Sequence, residues 1–401
     1  MNTSRFQAAL AKKGLDGAVI SGAVNIDYLI GSFATTTERP LYVYIPAKGG
    51  LAVFHPGLDR DLWGNWWIKD REWYFDYHHH GEFNQVVYEP GPPADLFAWM
   101  IAGIAKRGAS GKKIGFEAGL SLQDSATAKK AAVTIDGAIV TPLLLAMRQV
   151  KTPEEIALSR VSIELHDRTL EFARAYILQH GTDATDFEVS HAAKAYGTLE
   201  LMRAMGSEVN GRPHHGVGII IDLECRTGVA TAYPHPNQFF FQKIKRGDAI
   251  QIATAGRVGG YGGEGYRGMQ IEGPGVTDLH HKMWEVHTAM TKKQQELSKP
   301  GTPCNVVGSA CLKLARDAGL EKYIYHRPAH GEGAEGHQAP YLSLGDTYIM
   351  QENNFFSNEP GLYNPEGGFG YNHSNCVRVT RDGGEQMNRI PLTKEWCWIK
   401  L

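Results

Sequence analysis

Residues 251–268 read QIATAGRVGGYGGEGYRG, and the reading of this stretch decides the fold. QIATAGRV has the pattern of a strand, Gly259-Gly260 that of a turn, and YGGEGYRG that of a returning strand. Downstream histidines and a Glu-Pro-Gly would suit a carboxylate metal site. Yet the first strand holds no carboxylate, and the second offers Glu264 alone, followed by Tyr266 and Arg267. The glycines of GGYGGEG do not stand between a strand and a helix, so a phosphate cradle is not indicated.

Outward from the hairpin, the chain from about residue 215 onward reads as antiparallel strands: VGIII, AIQIATAGR, the stretch YIMQENNFFSNEPGLY and SNCVRVT. Two helices, about 279–298 and 304–317, interrupt them. Thr152-Pro153-Glu154-Glu155 has the marks of a helix start, with a capping hydroxyl, proline at the first position and acids in the first turn. A long amphipathic helix should follow. Before it, residues 1 to about 145 alternate a helix (4–13), GAVISG, LYVYIP, LAVFHP, a helix near 95–106, and KKIGFEAG. That pattern predicts a small α/β domain with a mixed sheet. The expected organisation is therefore α+β in two domains, 1–145 and 146–401.

Composition agrees with a folded two-domain chain. Its 401 residues exceed one ordinary core, and the formal net charge of −2 gives no basic face for nucleic acid. No apolar run reaches the roughly 20 residues that span a bilayer. MNTSRFQAALAKKG reads as a helix capped by Thr3 or Ser4, not as a signal peptide. The five cysteines (Cys225, Cys304, Cys311, Cys376 and Cys397) are widely spaced, with no CxxC pair. They suggest neither a zinc knuckle nor a disulfide framework, and a reducing cytoplasm fits.

Five features that could do chemistry follow one another in the second domain. His235 lies between Pro234 and Pro236, which hold its backbone extended. A neutral imidazole there could give and take a proton near pH 7. Glu264 lies on the hairpin. His330 and His337 sit seven residues apart in AHGEGAEGHQAP, Glu359 in NEPG, and His373-Ser374-Asn375 in YNHSNCVRVT. Blander roles exist for each: a loop histidine at a strand end, a carboxylate bonding strand amides, histidines serving buried backbone. Two further stretches, Asp76–His80 and His214-His215, read more readily as loop and turn. Cys225 has no histidine beside it in sequence and is a poor nucleophile.

The ordered series VKTPEE, HPN, RGD, GY…R, HGEG…H…P and NEPGLY resembles the methionine aminopeptidase, prolidase and creatinase superfamily, the pita-bread fold. The likeness spans the whole chain and implies a creatinase-type small α/β N-terminal domain before the pita-bread domain. Metallopeptidases of that family hold two ions with two Asp, one His and two Glu. The corresponding positions here are Ala253, Glu264, His330, Glu359 and Ser374. Two close divalent ions need bridging carboxylates to offset their repulsion, so the departures at 253 and 374 argue against a dinuclear site. The cofactor expectation is accordingly no metal, or one divalent ion on Glu264, His330 and Glu359.

The resemblance also places His235 on the proton-shuttling histidine of creatinase, and Arg39 on an arginine that reaches into the neighbouring subunit. Tyr266, Tyr341, His337 and His373 become candidate substrate contacts, and a homodimer acting on a small carboxylate-bearing molecule is expected. Tyr341 stands where creatinase has an arginine, and His373 near its substrate-binding glutamate, so creatine itself is not the expected substrate. The reading that results is a creatinase-like hydrolase of a non-peptide C–N bond, with His235, His330, Glu359 and Glu264 catalytic. A mono-metal Xaa-Pro-type dipeptidase, a small-acid lyase and an inactive protein-binding module are its rivals.

Overall fold

The computed structural model describes residues 2–32, 38–75, 95–117, 119–137, 139–205, 208–209, 212–213, 220–235 and 241–401. Two compact units divide the chain, Met1–Met147 and Arg148–Leu401.

In the first unit the helices are α1 (Thr3–Lys12), α2 (Ala23–Ile30), α3 (Arg60–Asn65), α4 (Leu96–Ile104) and α5 (Leu122–Lys130), with α6 (Val140–Gln149) running past its end. The strands are β1 (Gly17–Ile20), β2 (Tyr42–Pro46), β3 (Ala52–Pro56), β4 (Asp70–Tyr74), β5 (Lys113–Phe116) and β6 (Thr134–Asp136). They form one mixed sheet in the order β4-β3-β2-β1-β5-β6. β1 pairs antiparallel with β2 and parallel with β5. Its four residues, GAVI, are all buried, as the apolar run of a central strand requires. Val19, Phe54, Met100, Ile104 and Phe116 belong to the core there. The expected cap of α1 is not made. Thr3 and Ser4 lie inside the helix, and Thr3 Oγ1 donates instead to the Leu29 carbonyl at 2.6 Å.

The second unit opens on α7 (Pro153–His180), whose start is the one read from sequence. Glu155 N donates to Thr152 Oγ1 at 3.3 Å while Thr152 N donates to Glu155 Oε2 at 2.7 Å. This reciprocal box satisfies two donors that a helix end otherwise leaves unpaired. α8 (Asp186–Met205) follows, then the short pair β7 (Glu208–Val209) and β8 (Arg212–Pro213). β9 (Ile220–Thr227), β10 (Ala249–Val258) and β11 (Tyr261–Ile271) form an antiparallel run, with α9 (Asp278–Leu297) and α10 (Cys304–Asp317) after it. β12 (Ala329–Gly331), β13 (Gln338–Leu342), β14 (Phe355–Asn358), β15 (Leu362–Asn364), β16 (Phe369–Tyr371), β17 (Asn375–Thr380) and β18 (Gly383–Gln386) complete the strands that bear on the site. Five of them make a second sheet in the order β13-β12-β14-β17-β18. Leu170, Ala173 and Ile177 of α7 share a core with Ile250, Ile252, Met269 and Ile271 of the hairpin.

The β10–β11 hairpin closes as its glycines dictate. Val258 pairs with Tyr261, leaving a two-residue turn, and Gly259 and Gly260 have φ of 58° and 79°. Two successive positive φ values match the right-handed twist of the flanking strands, and glycine alone adopts them freely. No helix among the described residues is long and apolar enough to cross a membrane.

His166, on α7 and wholly buried, is held neutral by the core. Burial, the largest influence, depresses its pKa from 6.5 to about 4, against a smaller opposing bond to the Gly256 carbonyl. The unfolded chain takes up a proton here below pH 6.5 and the folded chain does not until about pH 4. The stabilisation is therefore complete above pH 6.5 and is lost as pH falls towards 4. One pKa unit corresponds to about 1.4 kcal/mol, so the loss by pH 5 is about 2 kcal/mol. His166→Gln should remove this pH sensitivity. In urea titrations, its stability deficit relative to wild type at pH 7 should shrink by about 2 kcal/mol at pH 5. An unchanged deficit means that the imidazole is already protonated in the fold.

Candidate active site

β10 and β11 set the floor. Along β10, Ile252, Thr254, Gly256 and Val258 are buried, whereas Ala253, Ala255 and Arg257 are half-buried. In register, Ala253 faces Tyr266, Ala255 faces Glu264 and Arg257 faces Gly262. Directly opposed residues share a sheet face, so Glu264 and Tyr266 project on the same side as the two alanines. The Tyr266 hydroxyl donates to Glu264 Oε2 at 2.5 Å and fixes that carboxylate.

The second sheet supplies the histidines. His330, on β12, is 1 % exposed, with Nε2 3.0 Å from Glu359 Oε1 and 3.8 Å from Glu264 Oε2. His337 Nε2 is 3.6 Å from Glu264 Oε1, and its ring stacks on His330 with centroids 4.0 Å apart. Ligand atoms of Glu264, His330 and His337 lie within 4.8 Å of one another. Tyr341 is the cross-strand partner of His330 and carries the Arg327 guanidinium over its ring at 4.4 Å.

The charges follow from this crowding. Burial works to lower the pKa of His330, but the Glu359 contact and the charges of Glu359, Glu332 and Glu264 outweigh it and raise it to about 9. Burial would raise the pKa of Glu264; contact with His337, the charge of His330 and the Tyr266 hydroxyl more than offset it, and the carboxyl ionises below its usual range. Burial, with the Glu264 charge second, pushes the Tyr266 hydroxyl well up, so it stays a donor.

Glu332 is a further acid beside the site that no motif announces. Glu332 is fully buried, and its Oε2 accepts the Glu264 backbone N–H at 3.1 Å. Burial, then the neighbouring Glu264 charge, raises its pKa well above the usual range. No sequence signal marks Glu332, since the strand register shifts between His330 and Gly331 just before it.

The other expected participants make contacts of their own. His235 is exposed and makes no hydrogen bond or ion pair among the described residues; the carbonyl before it, that of Pro234, accepts from Arg226 Nη1 at 2.9 Å. Arg39, in the first unit, is ion-paired with Glu38. His373 is wholly buried, its Nδ1 accepting the Gly268 N–H at 3.0 Å and its ring edge-on to Trp284 and His287. Burial, then the charge effects of His287 and Arg267, push its pKa well below 6.5, as suits a core imidazole. Ser374 Oγ bonds Ser357 Oγ at 2.5 Å. Cys225 is buried, and burial raises its pKa, so it is no nucleophile. Asp76–His80 and His214-His215 lie outside the described residues.

Residues 157–381, more than half of the chain, match the metallopeptidase family M24. The chain belongs to that family. Residues 3–150 match the creatinase/prolidase N-terminal domain. The expected architecture, a creatinase-type domain followed by a pita-bread M24 domain, is thus the one present. A probable dipeptidase PepE of Mycobacterium tuberculosis is 25% identical over 395 residues, covering 96% of this chain and 92% of that protein. An Xaa-Pro dipeptidase of Lactobacillus delbrueckii subsp. lactis is 23% identical over 390 residues, covering 96% and 95%. In structure, a dipeptidase of Pyrococcus horikoshii OT3 superposes with a TM-score of 0.75 at 22% identity over 100% of both chains. At that identity the match shows the fold.

These relatives overturn the expectation of a creatinase-like hydrolase of non-peptide C–N bonds, since those that span this M24 chain carry dipeptidase names. That expectation rests on the missing carboxylates at 253 and 374. Both positions do lack a carboxylate. Glu264, His330 and His337 remain gathered, and the buried His330 Nε2 has no aligned hydrogen-bond partner. This donor set suits one divalent ion. A second finds no carboxylate at Ala253, and the Ser374 hydroxyl is already bonded.

Proposed function

We propose that this M24 chain hydrolyses the peptide bond of free dipeptides, those of the Xaa-Pro type foremost, with a single divalent ion. The observation that carries the reading is the convergence of His330, Glu264, Glu359 and His337, in a chain with near-full-length relatives named dipeptidases.

Glu264, His330 and His337 would hold the ion, with Glu359 against His330. The chemistry it supplies when bound is polarisation of the scissile carbonyl. The protein's own groups do the rest. Tyr266 locks the Glu264 carboxylate by its hydrogen bond, and Glu332 holds the Glu264 backbone N–H. Glu359, 12 % exposed at its side chain, accepts the proton of the attacking water and delivers it to the leaving nitrogen. His337, half exposed, stands at the rim and meets the substrate.

The purified protein should be assayed on a panel of free dipeptides after stripping with chelator and after reloading with Zn²⁺, Co²⁺ or Mn²⁺. Wild type should hydrolyse Xaa-Pro members only when reloaded, binding about one ion per chain. Glu359→Gln should lower kcat about 100-fold, within the range of one lost general base. Two tightly bound ions per chain, or hydrolysis unaffected by Glu359→Gln, would overturn the reading.

A further inference from the structure

We infer that Arg257 is the receptor for the substrate's terminal carboxylate, an assignment that rests on the dipeptidase reading. Its backbone place is fixed by the hairpin. It follows Ala253 and Ala255 at every second residue on the half-buried side of β10, and so shares the face that presents Glu264 and Tyr266.

The side chain reaches the catalytic group. A Cβ on Gly336 would lie 2.9 Å from Arg257 Nη2 and 3.0 Å from Glu264 Oε1. The guanidinium and that carboxylate oxygen thus border one small space, and Nε2 of the next residue, His337, lies 3.6 Å from the same oxygen. Glycine at 336 keeps the space open. The methyl side chains of Ala253 and Ala255 leave room in front of it along the strand.

The guanidinium lacks an anion. Arg257 forms no hydrogen bond or ion pair with any described residue, although Glu264 is near. The other inward arginines of this unit are engaged: Arg226 with Glu224, Arg148 with Glu335 and Gln338, Arg267 with backbone carbonyls and Asn375. A half-buried guanidinium with its donors open is strongly favoured to take a carboxylate in a two-pronged bond. A free dipeptide brings one such group, at a short and fixed distance from its scissile bond. The fixed positive charge also discourages a second divalent ion beside Ala253, in accord with a one-ion site.

The test compares a dipeptide with its C-terminal amide. Wild type should favour the free acid. Arg257→Met keeps the length of the side chain and removes its charge; it should raise KM for the free acid by about 10- to 100-fold, as loss of a charged hydrogen bond does. KM for the amide and kcat for both should stay within a few-fold. Arg257→Lys should recover part of the acid preference and none of its two-pronged geometry. If Arg257→Met is poorly folded by thermal melt, the Lys variant carries the comparison. Calorimetric binding of proline and prolinamide to both proteins gives a readout that needs no turnover. Carboxylate-dependent binding lost with Arg257 supports the assignment even if no dipeptide is cleaved, which would sink the dipeptidase reading alone. An acid-to-amide preference unchanged in the variants overturns the assignment.

Discussion

His330→Ala should lower kcat/KM on the best dipeptide at least about 1,000-fold and weaken binding of the divalent ion at least about 100-fold. The size follows from its place. Among the described residues His330 alone touches both Glu359 (3.0 Å) and Glu264 (3.8 Å), from a position that is 1 % exposed. Its removal takes away an ion ligand and the ring that stands between two carboxylates. General acid–base groups contribute about 10²–10⁴-fold, and loss of even an outer partner of a ligand costs about 10–100-fold in affinity. His337→Ala should cost less, since that ring is 53 % exposed and touches Glu264 alone among the acids. Steady-state kinetics with calorimetric titration of Co²⁺ check both effects. A His330→Ala protein within tenfold of wild type would remove this imidazole from the centre of the mechanism.

What the sequence displayed, and what it hid, divides by range. Signals carried by neighbours in the chain were legible. Gly259-Gly260 is a two-residue turn, and Thr152-Pro153-Glu154-Glu155 starts a helix, because each depends on backbone torsions or bonds within four residues. Roles set by distant partners were not. His373 and Ser374 are adjacent in the chain, yet the His373 ring meets Trp284 and His287 while the Ser374 hydroxyl meets Ser357. Glu332 becomes a perturbed acid only because folding buries it beside the Glu264 charge. The functional misreading has the same origin. Position-by-position comparison registers a lost Asp at Ala253, but not that His337 stands 3.6 Å from Glu264.

Arg267→Met should destabilise the second unit by about 4 kcal/mol or more, a larger loss than any substitution at the pocket rim. Arg267 is wholly buried on β11, one residue from Tyr266. Its Nη1 donates to the carbonyls of Tyr266 (2.7 Å) and Ser374 (2.9 Å), its Nη2 to Asn375 Oδ1 (2.7 Å) and the Ile390 carbonyl (2.7 Å). None of these acceptors is a carboxylate, so the guanidinium replaces its hydration with oriented dipoles. Burial, the largest influence, lowers its pKa, and the side chain remains a cation with its donors satisfied. A methionine fills much of the volume and restores none of the bonds. Each buried acceptor left bare costs about 1–3 kcal/mol, and breaking a buried charged network costs about 3–5 kcal/mol. Removing the charge itself relieves part of this, which sets the expected value near 4. Arg267→Lys should recover little, because one ammonium cannot reach four acceptors arranged for a planar fork. The consequence for function is direct. The same bonds tie β11, which carries Glu264 and Tyr266, to the Ser374–Asn375 turn into β17. A partly folded Arg267→Lys protein should therefore lose ion affinity before it loses secondary structure. Urea unfolding followed by circular dichroism, with Co²⁺ titration below the transition, measures both, and a variant within 1 kcal/mol of wild type would show that the buried cation is dispensable.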